Sequence, residues 1–89
     1  MIVFELDANA YWPIREEATS LSEGATTAIR SATGVLGTTR RRVECSRPVA
    51  EEIRGWFRDH ARGYLEMEGH RHKAPACQRA VEAIESLLK

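Results

Sequence analysis

The sequence predicts an α+β fold, a small β-α-β-α-α domain with a two-stranded sheet and a C-terminal helical hairpin. Three patterns predict it. Ile2-Val3-Phe4-Glu5-Leu6 is β-rich and puts Ile2, Phe4 and Leu6 on one face. Thr38 to Ser46 reads as a second strand, with Val43 and Cys45 inward and Arg42 and Glu44 outward. From Ser46 onward, two apolar stripes at helical spacing are separated by the polar turn Gly69-His70-Arg71-His72-Lys73.

After the first strand, Asp7 offers an N-cap. Small and apolar residues then recur at helical spacing from Ala10 through Ile14, Ala18, Leu21, Ala25 and Ile29 to Ala32 and Leu36. Pro13, Gly24 and many Ser and Thr residues lower the propensity, and Ser20-Leu21-Ser22-Glu23 has the spacing of a capping box. Residues 10–36 therefore form either one long helix or two short ones broken near residues 20–24. Gly34 and Gly37 close the segment.

Ser46-Arg47-Pro48, an N-cap followed closely by proline, starts the next helix. Val49, Ile53, Trp56, Phe57, His60, Tyr64 and Met67 share one face of it. Arg47, Arg54, Arg58 and Arg62 lie along one flank, and Glu52, Asp59 and Glu66 along the other. Pro75 opens the last helix, with Cys77, Ala80, Val81, Ile84, Leu87 and Leu88 inward and Gln78, Glu82, Glu85 and Lys89 outward. Phe4-Glu5-Leu6-Asp7 with Ile14-Arg15 echoes Val43-Glu44-Cys45-Ser46 with Ile53-Arg54 at an offset of 39, the pattern an old duplication would leave.

At 89 residues the chain is read as a single domain, with a strand-helix-strand half (1–45) and a helical hairpin (46–89). Its 43% hydrophobic and 29% charged content is that of a globular protein rather than a disordered one. The longest apolar run, Met1 to Phe4, is far too short to span a bilayer, so no membrane partner and a cytoplasmic location are expected. Cys45 and Cys77 read as small buried hydrophobes rather than a bridge. Two strands alone are marginal in water, and pairing of an edge strand with its copy would enlarge the sheet; a homodimer is therefore expected.

Net charge is zero, so global charge draws the chain to neither nucleic acid nor an anionic surface. The charge is uneven, however. Residues 1–37 carry −3, residues 38–63 carry +3, and residues 64–89 balance. The middle is the one candidate surface for an anionic partner, formed by Arg40, Arg41 and Arg42 with the flank Arg47, Arg54, Arg58 and Arg62. Arginine's fork suits phosphate. Against nucleic acid stand the acidic flank on the same helix and the lack of exposed aromatics among the arginines.

No phosphate loop, redox CxxC pair or paired-carboxylate frame is present, so no catalytic residue and no cofactor are assigned, and the reading leans away from an enzyme. His60, between Trp56 and Tyr64, is the candidate centre of a small-molecule or enzyme pocket, since burial readily moves a histidine pKa. Glu66, Glu68, His70, His72 and Cys77 have metal-ligand character without a zinc spacing, so no metal site is assigned. The leading expectation is a small bacterial-type accessory or regulatory protein that binds a protein partner through its arginine surface. A nucleic-acid-associated regulator using the same arginines is the second reading, and the His60 pocket the third.

Overall fold

A computed structural model describes residues 1–89 and gives the order β1 (Ile2–Leu6), α1 (Ala8–Glu17), α2 (Glu23–Arg30), β2 (Thr33–Gly34), β3 (Arg41–Cys45), α3 (Arg47–Glu66) and α4 (Lys73–Leu88). The class is α+β, as expected. The sheet has three strands rather than two, antiparallel in the order β1-β3-β2. The additional strand pairs Thr33 with Arg42 and Gly34 with Arg41. A strand of two residues carries no alternation to read, and Gly34 resembled a helix stop.

The loop that joins β2 to β3 absorbs the start of the expected second strand. Val35 N–H donates to Arg40 O at 3.1 Å and Thr38 N–H to Val35 O at 3.0 Å. The Thr38 hydroxyl donates to Val35 O at 2.9 Å and accepts from Arg40 N–H at 3.0 Å. Extended structure therefore begins at Arg41, not Thr38, because the Thr38 side chain is committed to the turn.

Along β1 and β3, Ile2 faces Cys45, Phe4 faces Val43, and Leu6 faces Arg41. Phe4, Leu6, Val43 and Cys45 are buried beneath the helices, whereas Val3, Arg42 and Glu44 on the opposite face are exposed.

The segment 10–36 resolves into two helices. Ser22, not Ser20, caps α2, its Oγ accepting from Ala25 N–H at 3.2 Å. The expected partner within the capping box, Glu23, is replaced by Glu52 of α3, which accepts from Ser22 N–H at 2.6 Å and from its hydroxyl at 2.7 Å. Asp7 occupies the N-cap position of α1 but makes no side-chain cap bond. Its carboxylate instead accepts from Arg79 Nε at 2.8 Å and lies 3.4 Å from Arg40 Nε.

The helical hairpin forms as the sequence implies. Ala50, Ile53, Trp56, Phe57, Ala61 and Tyr64 of α3 are buried, as are Ala74, Ala76, Cys77, Ala80, Val81, Ile84 and Leu88 of α4. The α3 stripe sits slightly round from its expected line, with Ala50 and Ala61 fully inward and Val49 and His60 half-buried. Alanines there put little bulk between the helices and let α4 lie close. Met67, just past the end of α3, is 47% exposed, and Leu87 is 45% exposed, so neither belongs to the core. Buried residues from Phe4 to Leu88 form one continuous cluster. No helix is long and apolar enough to cross a membrane.

Candidate functional site

The arginines marked out by the sequence divide into two groups. Antiparallel pairing sets Arg42 opposite Glu5, 3.9 Å away, and Arg40 Nε lies 3.7 Å from Glu5 and 3.4 Å from Asp7. Acidic groups at and just after β1 therefore neutralise two of the three strand arginines. On α3, Arg47 donates to the C-terminal carbonyl of Leu88 at 2.5 Å and pairs with Glu51 at 3.5 Å, satisfying the negative end of α4. Arg58 pairs with Glu85. Arg41, Arg54 and Arg62 make no ion pair; Arg54 is half-buried with no partner for its Nε, and Arg62 is exposed.

His60 lies in an aromatic ladder on α3. Its ring stacks on Trp56 with centroids 3.7 Å apart and planes 13° apart, and Tyr64 follows at 5.8 Å. Nδ1 lies 2.8 Å from Trp56 O, so Nδ1 carries the proton and donates. Residues 56, 60 and 64 stand one turn apart, so the structure brings them together as a ladder along α3. None of the five main clefts includes any of them in its lining.

The phenol of Tyr64 donates to Glu17 Oε1 at 3.1 Å, and Lys73 Nζ donates to Glu17 Oε2 at 3.3 Å. Burial pushes the Tyr64 phenol above the usual tyrosine range, and the hydrogen bond and charge of Glu17 push it further. Burial likewise pushes the Cys77 thiol up to about 11. Cys45 moves in the same direction for the same reason. Cys77 lies in the core, and His70 stacks on Tyr64 and accepts from Lys73 Nζ at 3.0 Å; Glu66, Glu68, His70, His72 and Cys77 do not assemble into a ligand set.

What the hairpin does create is a groove. A cleft of about 400 Å³ opens between α3 and α4 over the buried Ala61 and Ala74. Leu65, 60% exposed, and Pro75 form its apolar walls, and Arg58 and Arg62 stand at its edge. Gln78 completes the lining, which holds no carboxylate, histidine, thiol or hydroxyl. Arg58 and Arg62 were marked by the sequence as a flank. Leu65 was not, although an apolar residue one turn beyond two arginines on a polar flank was the signal to find it.

A second cluster overturns one expectation. Trp12 is 40% exposed and has two arginines near it, with Arg15 Cζ 5.4 Å and Arg41 Cζ 5.5 Å from its ring centre. An exposed aromatic does therefore interleave with arginines. The sequence hid it, because Arg41 comes from β3 while Trp12 and Arg15 come from α1.

With this geometry in place, comparison with known proteins adds no relative: no family model, curated protein or solved structure matches the chain.

Proposed function

We propose that the chain is a small protein-binding module of accessory or regulatory type, whose α3–α4 groove takes an acidic amphipathic helix of a protein partner. One observation carries the reading. Leu65 is left 60% exposed beside an alanine-floored cleft, with Arg62 next to it making no ion pair. Covering a leucine is worth roughly 1.5–3 kcal/mol, so an apolar partner residue entering the cleft has a real gain available. Arg62 offers a charge that no internal carboxylate competes for, and Arg58 offers one shared with Glu85. An amphipathic helix bearing apolar residues at i and i+4 and carboxylates beside them matches both features. The absence of any nucleophile or base in the lining favours binding over catalysis.

The test is amide chemical-shift mapping with designed acidic amphipathic peptides. Shifts confined to residues 58–65 and 74–78, abolished by Leu65→Asp and weakened by Arg62→Glu, are the expected result. Binding that survives both substitutions, or that maps to another face, overturns the proposal. The cytoplasmic homodimer belongs to the same reading, with the terminal strand β1 pairing with its copy. Sedimentation at the 10.0 kDa monomer mass at every concentration removes the dimer.

A further inference from the structure

We propose that Trp12, Arg15 and Arg41 form a second site, on α1 and the start of β3, that binds single-stranded nucleic acid. Arg40, Arg42, Arg47, Arg58 and Arg79 are each paired with a carboxylate, whereas Arg15, Arg30, Arg41, Arg54, Arg62 and Arg71 have none, and of these Arg15 and Arg41 stand at the same two rings. Arg15 and Arg41 are nonetheless held in place. The Arg41 guanidinium carbon lies 5.3 Å from the Tyr11 ring centre and 5.5 Å from that of Trp12. That of Arg15 lies 5.9 Å and 5.4 Å from the same two centres, and its Nη1 donates to the Tyr11 hydroxyl at 3.1 Å.

Tyr11 is the anchor. It is 1% exposed, and its ring meets Trp12 edge-on at 5.1 Å and 76°. The two guanidiniums are thus ordered by aromatic faces rather than by acids, which leaves their charge available to a ligand. Two like charges held around one pair of rings are relieved by an anion. Arg30 extends the row, since it shares a small cleft with Arg15 at the junction of α1 and α2.

An acidic peptide would use the guanidiniums but has no need of the indole. A nucleic-acid strand uses both, with phosphates on the arginines and a base against the exposed part of Trp12. Trp12 also lines a cleft with Glu16, Glu17 and Lys73, and the two carboxylates there steer the strand toward Arg15 and Arg41. A duplex keeps its bases stacked and cannot offer one to Trp12, which selects for a single strand. Zero net charge supplies no long-range steering, and the attraction is confined to three arginines. Three phosphate contacts on a single strand give a slope of about −2 in log K against log salt.

The experiment uses the full chain and an oligothymidylate of about ten nucleotides, followed by anisotropy and by tryptophan emission. Trp12 is 40% exposed and Trp56 only 7%, so a stacked base quenches Trp12 and spares Trp56. Expected are quenching on binding, a salt slope of about −2, and a fall in that slope of about 0.7 on Arg30→Gln, a substitution at an exposed position. Arg15→Gln with Arg41→Gln should weaken binding at least tenfold. Trp12→Leu should weaken it as well, while Trp12→Phe restores it. Leu65→Asp, which removes the groove proposed above, should leave it unchanged. The proposal is overturned by no binding at low salt, by equal binding of duplex, by an unchanged slope in Arg30→Gln, or by polyglutamate competing equally with no change at Trp12.

Discussion

Glu52 and Ser22, 30 positions apart, form a single capping unit: the Glu52 carboxylate accepts the Ser22 N–H at 2.6 Å and its hydroxyl at 2.7 Å. The hydroxyl in turn accepts from Ala25 N–H at 3.2 Å, so the start of α2 is tied to the first turns of α3. A local capping box joins neighbours within one helix. Here the acid comes from a different helix, so the cap also fixes the position of α2.

This geometry predicts energetic coupling. Ser22→Ala and Glu52→Ala should each cost about 1 kcal/mol in chemical denaturation, the usual scale for a lost cap. The double variant should cost less than their sum by about 0.5 kcal/mol or more, since both substitutions remove the hydroxyl–carboxylate bond between the two side chains. Strict additivity would show that Glu52 acts elsewhere.

The chain should lose stability in mild alkali. In the folded state the Cys77 thiol is pushed up to about 11 and the Tyr64 phenol above its usual range, so both keep protons that the unfolded chain releases. The folded state then binds more protons, and stability falls as pH rises past about 8.5 for the thiol and about 10 for the phenol. Denaturation midpoints measured from neutral pH upward should decline across this window. The decline should be shallower in Tyr64→Phe and Cys77→Ala, even where their neutral-pH stability is lower. In the native protein, Cys77 should react with thiol reagents only slowly near pH 8.

Two glycines should respond to alanine with opposite signs. Gly69 lies in the middle of the α3–α4 turn with φ of +85°, which an L side chain adopts only with strain, so Gly69→Ala should cost about 1 kcal/mol. Gly63 lies inside α3, and an added Cβ there meets nothing within 4 Å. Gly63→Ala should therefore stabilise by about 0.5–1 kcal/mol. Thermal melts of the two variants should move in opposite directions.

Core and groove leucine-sized side chains should separate cleanly. Ile84 is fully buried on α4, and Ile84→Ala should cost about 2–5 kcal/mol through lost burial and a residual cavity. Leu65→Ala should fall within about 0.5 kcal/mol of the parent, because the side chain is mostly in solvent. A large loss at Leu65 would mean that it supports the fold rather than a partner.

The sequence alone was enough for the pieces whose physics is local. The period-two pattern of Ile2 to Leu6 and the 3.6-period stripes of α3 and α4 are written in neighbouring residues, and the strand and both helices form there, with the buried line of α3 turned slightly from the expected one. The start of α3 at Ser46-Arg47-Pro48 is of the same kind, since cap and proline act within one turn. Only the tertiary structure decided where the polar side chains went. Asp7 and Ser22 both carry cap chemistry, but Asp7 turned to Arg79, 72 positions away, while Ser22 was completed by Glu52. Arg40 and Arg42 looked free and are neutralised through strand pairing with β1, whereas Arg41, one residue between them, points to the other face and meets Trp12. Charge and hydrogen-bond partners act through space, and neither the register of β3 on β1 nor the seating of α1 beside it is encoded in any short run of residues. The helical hairpin could be read from its own sequence; what it offers a partner depended on which arginines the rest of the chain had already taken.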